Sequence, residues 1–214
     1  MLKRKLSINM RKFVEQSLLL ATHNKGKIEE LSKLFIDYQL TIKTPFDFHL
    51  DEPKETENTF LGNARLKAHY AAKTSDLPSL GDDSGIMVEC LNGAPGVFTA
   101  DWATTKNGRN FNTAMEKLWK AIQETNLNGP YKAQFCCTLV MAWPDGHDEV
   151  FQGIIKGQLV WPVRGSNGHG FDPMFLPNGY TETFGEMDRW EKNKISHRGL
   201  AFTNLIKNCF NNIT

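Results

Sequence analysis

The stretch Ser79-Leu80-Gly81-Asp82-Asp83-Ser84-Gly85-Ile86-Met87-Val88 sets two neighbouring carboxylates between glycines, with a hydroxyl beside them and an apolar run behind. Like charges on adjacent residues repel, so a fold that orders them near each other usually gives them a cation to share. A hard divalent ion with oxygen ligands, magnesium first, meets that need. A solvated turn is the plainer reading, because Asp, Ser and Gly are common turn residues. With a turn at the acidic pair, the following strand covers residues 85–91. The flanking segments have to decide.

Upstream, residues 17–22 read as a short buried strand. Thr22-His23-Asn24-Lys25-Gly26-Lys27 follows, and then Ile28, Leu31, Leu34 and Phe35 fall on one helical face, with Glu29, Glu30 and Lys33 off it. Strand, polar turn and helix together place backbone N–H groups and basic side chains where phosphate is favoured. This is not a Walker loop, since Ala21 holds the leading glycine position and Ile28 follows the lysine. A plain βα turn accounts for it equally well. Residues 40–44 allow a second short strand. Residues 47–57 carry Asp47, Asp51, Glu52, Glu55 and Glu57 against Lys54 alone, a run that is ordinarily solvated. From Asn58 a helix is expected, with Phe60, Ala64, Ala68 and Ala71 on one face and Lys67 beside it. The small alanines permit close approach, so Lys67 can face a cleft, although a surface lysine is the commoner outcome.

Downstream, Asn92-Gly93-Ala94-Pro95-Gly96 marks a loop, and residues 110–124 form an amphipathic helix through Phe111, Ala114, Met115, Leu118 and Ile122. Residues 133–143 and 147–160 read as two long strands joined at Pro144-Asp145-Gly146. Phe135, Cys137, Leu139, Met141 and Trp143 alternate onto one face. A long hairpin inside a βα pattern implies a mixed sheet. Gly165, Gly168 and Gly170 surround His169, Phe171 and Asp172, a backbone open enough for a flat ligand edge. Ser196 is an N-cap for a last helix whose first turn holds His197 and Arg198. Cations there oppose the helix dipole, a broken rule that a bound anion would repair.

Composition narrows the class. A length of 214 residues is enough for one domain with a real core, and a net charge of +1 argues against a protein that coats nucleic acid. Cys90, Cys136, Cys137 and Cys209 have no metal-ligand spacing, and Cys136 and Cys137 should face opposite ways in their strand. They read as reduced thiols of a cytoplasmic protein. Residues 1–16 are basic but lead only into Leu18-Leu19-Leu20-Ala21, too short for export or a membrane span. They are read as a disordered tail on a single domain of residues 17–214.

The order of these motifs is more specific than any one of them. Thr22-x-Asn24-x-x-Lys27, Glu55-Thr56-x-x-Thr59-Phe60, Asn63-Ala64-x-x-Lys67-Ala68, Asp82-Asp83-Ser84-Gly85, Gly93-Ala94-Pro95-Gly96, Gly170-Phe171-Asp172-Pro173, Glu191-Lys192 and Ile195-Ser196-His197-Arg198 follow one another from about residue 17 to the end. In this the sequence resembles the inosine triphosphate pyrophosphatase family, which hydrolyses non-standard purine nucleoside triphosphates to monophosphate and pyrophosphate. It departs at His23, in place of a usual glycine, at Gly62, in place of glutamate, and at Asn167-Gly168-His169.

The resemblance implies an α/β fold, an elongated mixed β-sheet flanked by helices with two lobes around a central active-site cleft, and a homodimer. It implies magnesium on Asp83 with Glu55. Asp82 or Asp83 would orient or deprotonate the attacking water, and Lys67 would offset phosphate charge. Substrate would be held by Thr22, His23, Asn24, Lys25, Gly26, Lys27 and Ser84 on one side, and by His169, Gly170, Phe171, Asp172, Lys192, His197 and Arg198 on the other. Phe171 would stack on the base, with Asp172, His197 and Arg198 reading its edge. No nucleic acid or membrane partner is expected. A Maf-type pyrophosphatase for pyrimidine or modified nucleotides, and a nucleotide-binding regulator without turnover, are the competing readings. A general RNA-binding protein is the weakest, for want of an interleaved basic and aromatic stripe.

Overall fold

The computed structural model describes residues 10–210. Eight strands and five α-helices follow in the order β1 (Ser17–Leu20), α1 (Lys25–Leu34), β2 (Thr41–Lys43), α2 (Phe60–Ser75), β3 (Ser79–Val88), β4 (Thr104–Thr105), β5 (Gly108–Arg109), α3 (Phe111–Glu124), β6 (Tyr131–Ala142), β7 (Asp148–Leu159), β8 (Phe175–Pro177), α4 (Arg189–Ile195) and α5 (His197–Cys209). Six strands make one sheet in the order β2-β1-β3-β6-β7-β8, and β4 pairs with β5 separately. β1 runs parallel to β2 and β3, while β3, β6, β7 and β8 are antiparallel. The expected mixed α/β sheet is what forms.

Strand β3 departs from the sequence reading. It begins at Ser79 and ends at Val88, so the acidic pair lies inside a central strand and not in a turn before it. Ten residues of β3 are paired to β6, with Asp82 opposite Leu139 and Asp83 opposite Thr138. Continuous pairing with β6 outweighs the local turn preference of Asp-Asp-Ser-Gly. Successive strand residues alternate faces, so the two carboxylates leave the sheet in opposite directions.

One face of the sheet is covered by α2. Ala64, Ala68 and Ala72 pack on Val140 and Ala142, and Gly81 lets this happen, because a Cβ there would lie within the backbone of Ala64 and Ala68. The other face carries α1 and α5 over Leu18, Leu20, Leu80 and the alternating Cys137, Leu139, Met141 and Trp143. Farther along the same long strands, α3 closes a second cluster around Ile86, Val88, Ala133, Phe135, Phe175 and Phe184. The twelve-residue strands β6 and β7 therefore span two cores. β1 pairs with β3 only at Ser79 and Leu80, so β3 runs on past the end of β1. The site lies at that step.

The expected free tail through residue 16 is corrected for residues 10–16. Phe13 is buried, stacks on Phe210 at 5.0 Å and donates its N–H to the Cys209 carbonyl. Arg11 lies 4.5 Å over the Trp143 ring, whose Nε1–H donates to Glu15. Apolar burial and cation–π contact hold a segment that net charge alone would free. Residues 1–9 lie outside the described residues. Among the described residues no helix is long and apolar enough to cross a membrane.

Candidate active site

On the α2 face of β3, Asp83 meets Lys67 and Asn63 from the first turns of that helix. Lys67 Nζ lies 2.7 Å from Glu55 Oε1 and 3.6 Å from Asp83 Oδ1, and Lys67 is buried. Asn63 Nδ2 donates to Asp83 Oδ2 at 3.3 Å, and the Ser84 N–H donates to Asp83 Oδ1. Burial pushes the Asp83 carboxyl up to about 6, against Lys67 and Lys27 and with Glu55 and Asp82. The Lys67 ammonium is held above its ordinary range: burial works against it, and Asp83, Glu55 and Asp82 outweigh burial. Too little positive charge serves these acids.

The opposite face is the reverse. Asp82 has a fully enclosed side chain, paired with Lys27 from the first turn of α1, and Arg198 Nε lies 3.6 Å from its Oδ2. Cys137 Sγ donates to the same oxygen at 3.2 Å. Burial would raise this carboxyl, yet Lys27, Arg198 and Lys67 hold it well below the usual range. Arg198 donates further to Glu30 Oε2 at 2.7 Å and to Ser84 Oγ at 3.1 Å. Ser196 caps α5 as expected, through the Gly199 N–H. The one charged side chain of that first turn, Arg198, is thus balanced from within by Asp82 and Glu30.

The glycine-rich segment forms the facing wall. Asp172 accepts from the His169 N–H at 2.6 Å and from Lys192 Nζ at 2.5 Å. Gly168 sits at φ +79°, and any Cβ there would collide with the Asp172 carboxylate. Asp172 therefore holds Lys192 and the loop, and it also lines the cleft. Phe171 is only 1% exposed and packs edge-to-face on Phe111 at 5.9 Å, so it forms an apolar wall more than an open stacking platform. His197 stacks on Phe135 at 4.7 Å and 11°. Burial, then Arg198 and Lys192, drive its pKa well below the ordinary value, so it is neutral. Its Nδ1 is buried without a hydrogen-bond partner among the described residues.

These elements enclose a cleft of about 390 Å³ lined by Thr22, Asn24, Gly26, Lys27, Glu55, Lys67, Asp83, Ser84, His169, Gly170, Phe171, Asp172, Lys192, His197 and Arg198, with Glu30, Glu52, Thr99, Arg109 and Phe111 among others. Asn24 is the N-cap of α1, its Oδ1 accepting from the Gly26 and Lys27 N–H groups, and Thr22 Oγ1 accepts from Asn24. Three expected residues, His23, Lys25 and Asp82, do not line the cleft. His23 turns to the Leu50 carbonyl at 2.8 Å and lies edge-on to Phe46, and Lys25 is exposed outside the cleft. Residues one step either side of Asn24 point away as the helix starts. Asp82 is sealed below the cleft, whereas Asp83 lines it. Sequence reasoning passed over Glu30 as a helix-surface acid and gave Asn63 no role. A single acid on the helix, aligned with nothing apolar, carries no sequence signal; Asn63, on the buried alanine face, did.

Magnesium fits this donor set in part. Asp83 and Glu55 converge on one ammonium from two segments, and their acids lack counter-charge. Among the described residues no three His, Cys, Asp or Glu side chains stand together as a metal cage.

A family model described as the Ham1 family matches residues 18–208. A dITP/XTP pyrophosphatase of Ruegeria pomeroyi is 56% identical over 200 residues, covering 94% of this chain and 98% of that one. One from Agrobacterium fabrum is 44% identical over 211 residues, covering 94% and 99%. A HAM1 protein from Coxiella burnetii superposes with a TM-score of 0.83 at 32% identity, over 90% of this chain and 98% of that chain. The Staphylococcus aureus Ham1 protein gives 0.77 at 32% identity, over 88% and 95%. The motifs that suggested a nucleotide pyrophosphatase lie within the matched span, and the chain belongs to the Ham1 family.

Proposed function

We infer that the chain hydrolyses non-canonical purine nucleoside triphosphates (ITP, dITP and XTP) to the monophosphate and pyrophosphate. The observation that carries this is one cleft holding a buried base, Asp83, beside Lys67, with the neutral His197 and the paired Arg198 and Lys192 at its other end. Full-length likeness to two dITP/XTP pyrophosphatases supports the same reading. Lys27, Lys67 and the α1 N-terminus bear the triphosphate. Asp83, which lines the cleft beside Lys67, takes a proton from the attacking water as it closes on the α-phosphorus, and pyrophosphate leaves. Asp83 and Glu55 would hold magnesium, which when bound supplies positive charge to the phosphates.

Selectivity follows from the donors. A 6-oxo purine accepts at the position where adenine donates, so N–H groups of His197 and Arg198 suit inosine and leave adenine mismatched. We further propose a cytoplasmic homodimer, on the family resemblance; sedimentation at micromolar concentration checks the dimer.

The test is product analysis with ITP, ATP and dTTP, measuring pyrophosphate separately from phosphate. IMP and pyrophosphate from ITP, with little turnover of ATP or dTTP, is the expected result. IDP and phosphate would mean the triphosphate lies in another register, and dTTP turnover would favour the Maf-type reading.

A further inference from the structure

Asn63 was singled out by its motif and then given no task, yet its polar side chain is buried at the site, at 2% exposure. Its amide faces two groups of different kind. The Glu57 N–H can only donate, and it lies 3.1 Å from Asn63 Oδ1. The amide nitrogen is therefore turned to Asp83, donating to Oδ2 at 3.3 Å. The orientation is fixed by chemistry, because a flipped amide would set donor against donor at Glu57.

The Glu57 backbone belongs to the acidic loop, whose Glu52 and Glu55 line the cleft. That loop approaches the start of α2 closely. A Cβ at Gly62 would lie 2.6 Å from Glu57 Cβ and 2.8 Å from its Cγ. The lack of a side chain at Gly62 thus leaves room for the loop to settle on Asn63.

We propose that Asn63 is a positioning residue that couples the two carboxylates of the reaction: its oxygen anchors the loop carrying Glu55, and its amide orients Asp83. This rests on the functional reading above and assigns the bridge between its two halves. Asn63 itself touches no reacting atom. It holds the Oδ2 lone pair of Asp83 in a fixed direction, leaving Oδ1 towards Lys67 and the cleft. Because a single planar group makes both bonds, displacement of the loop is felt at Asp83.

Two substitutions separate the halves. Asn63→Asp keeps an oxygen for the Glu57 N–H but turns an acceptor to Asp83, and Asn63→Ala removes both bonds. Each is compared with wild type for kcat and KM on ITP, for Tm, and for hydrogen exchange at the Glu57 amide. Loss of a hydrogen bond to a charged group predicts a fall in kcat of about tenfold or more for both variants, with KM changed less than about threefold. Glu57 protection should survive in Asn63→Asp and be lost in Asn63→Ala. Should the aspartate variant fail to fold, Gly62→Ala tests the loop half alone, by reduced Glu57 protection together with lower kcat. Wild-type kcat in Asn63→Asp, a loss confined to KM, or unchanged Glu57 exchange in Asn63→Ala would overturn the proposal. If wild-type protein released no pyrophosphate from ITP, the functional reading would fail instead, and the exchange data would still decide the loop anchor.

Discussion

Asp82 and Asp83 are neighbours in sequence and opposites in environment. Asp82 is sealed under α1 and α5 among Lys27, Arg198 and the Cys137 thiol, and its carboxyl is held well below the ordinary range. Asp83 faces α2 with Lys67 shared against Glu55, and burial pushes it up to about 6. The same side chain is held as a charged counter-ion on one face and is pushed toward its protonated form on the other. A strand's alternation does this at no cost in sequence: one residue of offset exchanges the entire set of neighbours. The idea that the adjacent pair shares one cation is replaced by a division of labour.

The sharpest way to break the comparison is Asp83→Asn. Removing the base should lower kcat on ITP by about 10²–10⁴-fold. The fold should gain, because the strained charge is gone. In magnesium-free buffer burial keeps the proton on folded Asp83 up to about 6, whereas the unfolded group releases it near the ordinary carboxyl value of 3.8. The folded state binds more protons across that window, so stability falls as pH rises through it and stays lower above. Asp83→Asn should therefore be more stable than wild type at pH 7, by on the order of 2 kcal/mol, with the difference vanishing below about pH 4. Denaturant titrations at pH 4, 5, 6 and 7 measure this. A variant less stable than wild type at pH 7 would show that Asp83 is a structural acid after all.

Asp82→Asn should do the reverse. It leaves Lys27 and Arg198 facing a neutral amide in a sealed site, a loss of about 3–5 kcal/mol, as when one partner of a buried ion network is removed. The linkage sign is also opposite. With the folded pKa depressed, the stabilisation from Asp82 is present above the unfolded value near 4 and is lost as pH falls below it. Glu30, lowered by Arg198 despite the opposing effect of burial, adds to the same acid limb. Wild-type protein should lose stability below pH 4, and Asp82→Asn should show a flatter acid limb from a lower plateau. Equal plateaus would mean that water reaches Asp82.

The large elements were legible because periodicity survives in a single sequence. The alanines of α2, the alternation of β6 and the Ser196 cap each state a local rule that the fold obeys. What failed to show was anything decided by two distant segments. Asp82-Asp83 has the composition of a turn and becomes strand only because β6 pairs with it along its whole length. His23 and Lys25 share a phosphate-loop motif with Asn24 and Lys27, yet the first turn of α1 sends alternate side chains elsewhere. Glu30 looks solvated until Arg198, 168 residues away, arrives beside it.

The smallest expected effect sharpens the Asp82 side. Cys137 Sγ is a weak donor, and burial first, with Asp82 next, pushes its pKa well above the ordinary value, so it stays a thiol. Its bond to Asp82 Oδ2 adds to a carboxylate already served by two cations. Replacing it should therefore cost much less than removing either cation. Cys137→Ser keeps a donor of similar size and should shift stability by less than about 1 kcal/mol, whereas Cys137→Ala removes donor and volume together for about 1–2 kcal/mol. Neither should change kcat on ITP by more than about twofold, since the thiol lies on the face away from Asp83. A large kcat loss in the serine variant with unchanged Tm would mean that the faces communicate through β3, and the division between counter-ion and base would have to be redrawn.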